Sequence, residues 1–194
     1  MPNIVLASQS PRRQELLRRM GIQRFSVVVP HADESYPAGL SARETVALIA
    51  RKKADAAARL AAPDDVVITA DTMVFLDDKR LGKPRDEADA LRMLTALSGR
   101  AHTVCTGVTV RRGERLVCFT VSTEVYFRDA TQRELLGYIA TGEPMDKAGA
   151  YGIQGLGALF IERINGDYYN VMGLPIEALC RALKTFGVQF FDGD

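Results

Sequence analysis

A short apolar strand that runs directly into a capped helix opens this sequence, and it restricts the fold more than any other feature. Residues 4–7 are uniformly apolar, which predicts a buried strand. A helix is expected over residues 11–20, because Ser10 suits the N-cap, Pro11 suits the first turn and Gly21 suits the stop. The sequence therefore begins as an α/β fold begins.

The same alternation of helices and strands continues along the chain. Two capping boxes, at 41–44 and 131–134, open further helices, and the dipeptide Asn165-Gly166 predicts a hairpin. The remaining predicted elements are helices over 41–60, 86–97, 131–139 and 176–186, and strands over 66–76, 103–110, 116–127, 159–164 and 168–171. No repeat or linker divides them, so we expect a single α/β domain over residues 1–194 with a mixed twisted sheet.

Charge and apolar run lengths exclude several classes of protein. The 194 residues carry 25 Lys plus Arg against 24 Asp plus Glu, a net charge of +1, which argues against a strongly basic nucleic-acid binder. No apolar run is long enough to span a bilayer, and the N-terminus does not resemble a signal peptide. We therefore expect a cytoplasmic protein with no membrane and no nucleic-acid partner.

Cysteines and histidines are too few to build a soft-ligand metal site. The three cysteines are widely spaced and form no CxxC pair, and there are only two histidines. A disulfide framework and a thiolate zinc site are both unsupported. Any metal ion bound by this chain must be held by carboxylates.

Two arginines, Arg12 and Arg13, lie in the first turn of the first predicted helix. The free N–H groups and the dipole make that end electropositive, so each added cation costs about 0.3 to 1 kcal/mol unless an anion offsets it. The serine-rich turn, the helix N-terminus and the paired arginines together predict a phosphate-binding site. The alternative is two solvated surface arginines.

Lys53 falls in the middle of an apolar stripe on the second predicted helix, whereas the neighbouring Lys52 falls outside it. The stripe consists of Val46, Ile49, Ala50 and Ala57. A lysine that points at a core needs a carboxylate or phosphate partner. Alternatively, its ammonium group reaches water along the edge of the stripe.

Asp71 interrupts the apolar strand predicted over 66–76. Aspartate is among the residues that strands tolerate least, and a carboxylate placed there must be paired or coordinated. Because catalytic carboxylates commonly lie at strand ends in α/β sheets, a metal ligand or a general base is favoured over a structural aspartate.

Two loop features are less informative alone. The segment 146–155 is rich in glycine but matches neither the phosphate-binding loop nor the dinucleotide fingerprint, so its glycines could simply form turns. Lys83 lies on a predicted loop, where a solvated charge is the ordinary expectation.

Several long motifs, in order along the chain, resemble those of the Maf family of nucleoside triphosphate pyrophosphatases. The motifs are residues 6–17, Ala70-Asp71-Thr72, Gly82-Lys83-Pro84, Ser98-Gly99 with His102, and residues 143–155. A helical segment, residues 49–54, also resembles the family and contains Lys53. The resemblance covers nearly the whole chain.

This resemblance implies an elongated, two-lobed α/β fold similar to that of the inosine triphosphate pyrophosphatases, with a cleft for a nucleoside triphosphate and often a homodimer. The family cleaves the anhydride between the α and β phosphates and so cleans nucleotide pools. Arg12, Thr72 and Gln154 match the pattern of the subgroup that acts on dTTP and UTP rather than 7-methyl-GTP. We therefore expect hydrolysis of dTTP, UTP and modified pyrimidine nucleotides.

The chemistry of a triphosphate fits the charged residues. A divalent cation, Mg²⁺ or Mn²⁺, held by one or two carboxylates, is the usual means of neutralising the phosphates. Asp71 is the predicted general base and metal ligand, and Glu34 the predicted second metal ligand, with Asp33 as an alternative. The predicted phosphate-binding residues are Ser8, Arg13, Lys53 and Lys83.

A competing interpretation is a nucleotide-binding regulator of septum formation or cell division that does not catalyse. Fold alone never establishes catalysis. The presence of Asp71, Lys53 and Lys83 favours the enzyme.

Overall fold

The computed structural model of the chain describes residues 2–77 and 79–191. In chain order the strands and α-helices are β1 (Ile4–Ala7), α1 (Pro11–Arg19), β2 (Ser26–Val28), α2 (Ala42–Ala57), β3 (Val66–Leu76), β4 (Lys79–Leu81), α3 (Glu87–Leu97), β5 (Ala101–Arg112), β6 (Arg115–Phe127), α4 (Gln132–Ile139), β7 (Ile161–Asn165), α5 (Tyr168–Met172) and α6 (Ile176–Thr185). Most of the predicted strands and helices are present, and two short strands, β2 and β4, occur that the sequence patterns did not predict.

The seven strands form one mixed sheet in the order β2-β1-β3-β5-β6-β7, with β4 paired to β3. β1 runs parallel to both β2 and β3, with Leu6 opposite Val27 and Ile68. β4 is antiparallel to β3, and β7 is antiparallel to β6. The expected α/β class with a mixed sheet is therefore confirmed.

Helix starts agree with the predicted caps. Ser10 caps α1 and accepts a hydrogen bond from the backbone N–H of Arg13. Complete capping boxes open α2, between Ser41 and Glu44, and α4, between Thr131 and Glu134. Each box satisfies backbone donors that the helix itself leaves unpaired, which fixes where the helix begins.

Contacts within the chain define two compact units. The first comprises Met1–Asp71, Thr106–Val121 and Gly173–Asp194, and the second comprises Thr72–Cys105 and Ser122–Met172. Strands β3, β5 and β6 each contribute residues to both units.

Helix α2 packs tightly on the sheet in the first unit. A Cβ atom at Gly107 of β5 would overlap the backbone of Val46, so only glycine allows this close approach. The hydroxyl of Thr69 in β3 donates a hydrogen bond to the carbonyl of Ala50 at 2.7 Å. Helix α2 therefore has a fixed position relative to β3.

The second unit has its own apolar core. α3 contributes Leu94 and Leu97, α4 contributes Leu135 and Tyr138, and all four side chains are buried. This core supports the segment 148–160, which contains two short 3-10 helices, Ala148–Ala150 and Leu156–Phe160.

The predicted hairpin at Asn165-Gly166 is wrong. β7 ends at Asn165 and pairs with β6, while the residues predicted as the second strand form the short helix α5. The backbone N–H of Asp167 donates to Thr123 Oγ1 at 3.0 Å, and the side-chain amide of buried Asn170 donates to the carbonyl of Val104 at 3.0 Å. These tertiary bonds outweigh the local hairpin preference. Helix α2 also ends earlier than predicted, at Ala57 rather than near residue 60.

Among residues 2–77 and 79–191, no helix has both the length and the apolar character needed to cross a bilayer.

Candidate active site

Strand β3 and helix α2 bring Lys53 and Asp71 together. Thr69 and Asp71 are two residues apart and so lie on the same face of β3, while Ala50 and Lys53 are one helical turn apart. The bond from Thr69 to Ala50 therefore also places Asp71 of β3 next to Lys53 of α2. Lys53 Nζ donates to Asp71 Oδ1 at 2.7 Å, and the exposed fractions of the two side chains are only 17% and 11%.

The same lysine also contacts the loop that precedes α2. Lys53 Nζ lies 3.1 Å from Glu34 Oε1, so its ammonium group bridges two carboxylates. A cation between two carboxylates relieves the repulsion that they would otherwise exert on each other. The helical-face argument thus correctly separated Lys53, which faces inward, from Lys52.

Asp33 has different partners from Glu34. The Lys52 ammonium donates to Asp33 Oδ2 at 3.3 Å and to the carbonyl of Ser35 at 2.7 Å. Hydrogen bonds from Ser35, together with Lys52, lower the pKa of Asp33 to about 2. Of the two predicted carboxylates, Glu34 is therefore the one joined to Asp71 through Lys53.

Asp71 keeps one oxygen without a protein partner. Its Oδ2 is buried and accepts no hydrogen bond from any residue that the structure describes. A buried charged oxygen with no donor or cation is costly. This oxygen is therefore suited to receive a partner that arrives with the substrate.

Arg13 joins β1, β3 and the segment before α6. Its Nε donates to the carbonyl of Gly173 and its Nη1 to the carbonyl of Ala70, both at 2.8 Å, and Nη1 also lies 3.4 Å from Ser8 Oγ. Desolvation lowers the pKa of Arg13, and the negative charge of Asp71 partly opposes that effect. Arg13 therefore holds the backbone beside Asp71, a structural role that the sequence did not suggest.

Arg12 differs from its neighbour. It is half-buried in the first turn of α1 and makes no hydrogen bond or ion pair with the part of the chain that the structure describes. A partly exposed cation at a helix N-terminus repels the dipole, and an anionic ligand would relieve that repulsion.

The other three predicted site residues, Thr72, Lys83 and Gln154, belong to the second unit. Thr72 directly follows Asp71 in β3 and is half-buried, whereas Lys83 and Gln154 are exposed. Within this unit the backbone N–H of Gly149 donates to the carbonyl of Gly82 at 3.0 Å, which ties the Lys83 loop to the glycine-rich segment.

Sequence reasoning gave no role to two polar groups of the second unit. His102 Nε2 lies 2.7 Å from the hydroxyl of Tyr151, and both side chains are buried. Burial lowers the pKa of His102 to about 4 and raises the pKa of Tyr151. The carboxylate of Glu143 accepts hydrogen bonds from the backbone of residues 156 and 157. His102 and Glu143 both lie in the recognised motifs, which was the only signal for them.

Glu34 and Asp71 are the available ligands for a hard cation. No group of three or more His, Cys, Asp or Glu side chains with metal-binding geometry occurs within residues 2–77 and 79–191. Mg²⁺ commonly takes only one or two carboxylates and completes its shell with phosphate oxygens and water. The unpartnered Oδ2 of Asp71 fits that pattern, so these residues are compatible with such an ion.

A family model described as Maf-like protein matches residues 3–186. The chain is 50% identical to a dTTP/UTP pyrophosphatase from Bacillus pumilus over 98% of this chain and 100% of that protein. It is 49% identical to a protein of the same name from Exiguobacterium sibiricum, over 96% of this chain and 93% of that one.

Among solved structures, a HAM1 protein from Coxiella burnetii matches with a TM-score of 0.51 and 15% identity, over 95% of this chain and 100% of that chain. At that identity the likeness concerns the fold alone, and it agrees with the expected α/β class. The family model matches nearly the full length of the chain, and these two relatives share about half of its residues. The chain therefore belongs to the Maf family.

Proposed function

We propose that this chain hydrolyses dTTP and UTP to the nucleoside monophosphate and pyrophosphate, with a divalent cation and with Asp71 as the general base. The observation that carries the proposal is the pair of carboxylates, Asp71 and Glu34, bridged by Lys53 on a chain whose relatives are named dTTP/UTP pyrophosphatases. Modified pyrimidine nucleotides are included in the proposed substrates.

Asp71 supplies the base. Lys53 Nζ donates to its Oδ1 at 2.7 Å, and Oδ2 is left to accept a proton from water. The water oxygen bonds to phosphorus, the bridging P–O bond breaks, and the pyrophosphate or nucleotide oxygen leaves with the electron pair.

Lys53, Lys83 and Arg12 supply positive charge. The Lys53 ammonium group has three N–H donors, and its carboxylate partners are Asp71 and Glu34. It can therefore donate to a phosphate oxygen and still contact Asp71. Such cations stabilise the charge that develops on the leaving oxygen. Ser8 and Arg13 are also proposed to bind the phosphates, and Arg13 in addition holds the backbone next to the base.

A Mg²⁺ or Mn²⁺ ion would be held by Asp71 and Glu34. When bound, it would neutralise phosphate charge and make the attacking water more acidic.

Arg12, Thr72 and Gln154 are the proposed specificity residues. The amide of Gln154 has both a donor and an acceptor, which matches the O4 and N3–H of uracil or thymine, whereas cytosine reverses that pattern. A wrong base would leave the amide of Gln154 unpaired in the complex, which is costly. Such a base is rejected more strongly than one that only lacks a methyl contact.

The test is pyrophosphate release from dTTP, UTP, CTP, ATP, GTP and 7-methyl-GTP, with Mg²⁺ and with EDTA. We expect kcat/KM to be highest for dTTP and UTP and turnover to stop in EDTA. In H₂¹⁸O, label in the monophosphate means attack at the α phosphorus, and label in pyrophosphate means attack at the β phosphorus. Nucleotide binding without any turnover would favour the non-catalytic regulator.

The homodimer implied by the resemblance and the cytoplasmic location expected from the sequence belong to the same proposal. Light scattering of the purified protein tests the former, and fractionation of cells that produce the chain tests the latter.

A further inference from the structure

We infer that Glu143 is a positioning residue for substrate choice, because it fixes the loop of residues 152–157 that carries Gln154. We call this segment the Gln154 loop. The inference rests on the proposed function, since it requires Gln154 to contact the base.

The carboxylate of Glu143 binds one end of the Gln154 loop. Its Oε2 accepts the backbone N–H of Leu156 at 2.9 Å, and its Oε1 accepts the N–H of Gly157 at 3.1 Å and the hydroxyl of Tyr138 at 2.9 Å. Lys147 Nζ in turn donates to the backbone carbonyl of Glu143 at 2.6 Å. Three donors share these two oxygens, an arrangement that suits an ionised carboxylate because it accepts hydrogen bonds and donates none.

Electrostatics agree with that ionised state. Burial by itself would raise the pKa of Glu143, but hydrogen bonds from the backbone of Leu156 and Gly157 and from Tyr138 outweigh burial and lower it. Charge-assisted bonds of this kind are stronger than neutral ones. Glu143 therefore holds the loop in one backbone conformation.

Tyr138 extends the same network to the other end of the loop. Its hydroxyl accepts the backbone N–H of Gly152 at 3.2 Å while it donates to Glu143. Its ring is 5% exposed and packs edge-on against Phe160 with centroids 5.3 Å apart. Both ends of the Gln154 loop are thus bound to side chains that are themselves fixed.

Gly155 shows how closely the loop lies on the carboxylate. A Cβ atom at that position would fall on the carboxylate group of Glu143, so a larger residue there would displace the carboxylate from the loop.

Gln154 itself has no such restraint on its side chain. It is exposed and makes no hydrogen bond with any residue in the described part of the chain. Its position is therefore set by the backbone on either side, which Tyr138 and Glu143 hold. Because a misplacement of about 1 Å is enough to impair a recognition contact, loosening this backbone reduces discrimination between bases.

The first measurement compares Glu143→Gln with Glu134→Gln. Glu134 is a matched control, because its carboxylate also accepts a backbone N–H, that of Thr131 at 2.7 Å, in the same unit but away from the loop. We expect the ratio of kcat/KM for dTTP over GTP to fall about tenfold in Glu143→Gln, mainly through KM for dTTP, and to stay within about twofold in Glu134→Gln. An equal ratio in both variants would overturn the inference.

A double variant tests whether Glu143 acts through Gln154. Residues that act as one unit give non-additive effects. We expect Glu143→Gln combined with Gln154→Ala to discriminate no worse than Gln154→Ala alone. Losses that multiply would show that Glu143 does not act through Gln154.

Hydrogen exchange keeps the inference separate from the proposed function. In Glu143→Gln the amides of Leu156 and Gly157 should exchange faster, with the rest of the unit unchanged. If the exchange rates of these amides do not change in Glu143→Gln, the inference is wrong even if the enzyme is active. If the amides exchange faster but the unsubstituted chain does not hydrolyse dTTP or UTP, only the assigned substrate is wrong. If Glu143→Gln does not fold, Tyr138→Phe is the alternative, because it removes one of the three donors to Glu143. It should lower the dTTP over GTP ratio and speed amide exchange in the same direction, but by less.

Discussion

Two buried contacts, one in each unit, differ in charge: a lysine bridges two carboxylates in the first unit, whereas two neutral side chains meet in the second. Lys53 lies 2.7 Å from Asp71 and 3.1 Å from Glu34. In the second unit, His102 and Tyr151 form a buried contact of 2.7 Å between two neutral groups. A buried charge is costly unless it is paired, whereas a neutral pair of hydrogen-bonding groups makes a structure rigid at lower cost.

The largest expected effect comes from removing the base of the first unit. Asp71→Asn keeps the shape but loses the charge and the basicity, so kcat should fall at least about a hundredfold. Pyrophosphate release measures the effect, with circular dichroism to show that the variant is folded. Asp55→Asn is the control, because Asp55 pairs with Arg111 at 2.7 Å with a half-exposed side chain. Near-normal activity of Asp71→Asn would contradict the proposed mechanism.

The second-largest expected effect concerns the buried contact between His102 and Tyr151 in the second unit. The pKa of His102 is about 4, below the ordinary 6.5 that applies when the chain is unfolded. Between these values the unfolded chain binds the extra proton, so the folded state is favoured fully above pH 6.5 and loses stability as the pH falls toward 4. We expect a loss of about 2 kcal/mol in the free energy of unfolding between pH 7 and pH 5.

Urea unfolding at the two pH values measures this loss. His102→Gln supplies a hydrogen-bonding amide that does not titrate, so the variant should lose about 2 kcal/mol less than the unsubstituted chain over the same interval. Identical losses in the two proteins would mean that another group carries the acid sensitivity.

The third and smallest effect separates two adjacent lysines. Lys53→Ala should weaken binding of a non-hydrolysable dTTP analogue about tenfold, because hydrogen bonds to charged groups contribute about 1.5 to 3 kcal/mol. Lys52→Ala should weaken binding less, since Lys52 bonds to Asp33 and Ser35 instead. Lys184→Ala, an exposed lysine of α6, is the neutral control. Isothermal calorimetry measures the three affinities, and equal losses at Lys52 and Lys53 would contradict the helical-face argument.

Local signals determined most of the secondary structure. Caps at Ser10, Ser41 and Thr131 fixed where three helices begin, because a capping bond joins groups only a few residues apart. Hydrophobic periodicity likewise placed Lys53 on the inner face of α2. The motifs also identified the family, which the comparisons confirm.

Tertiary structure alone decided which polar groups meet. Glu34, and not Asp33, contacts the lysine that binds Asp71. Residues Tyr168–Met172 form a helix because Asp167 and Asn170 bond to residues that are distant in the sequence. Arg13 bonds to Gly173, 160 positions away. The sequence by itself determined most of the elements and the family, because those depend on short-range patterns. The partners of Arg13, Glu34 and Glu143 depend on long-range packing, which no local pattern encodes.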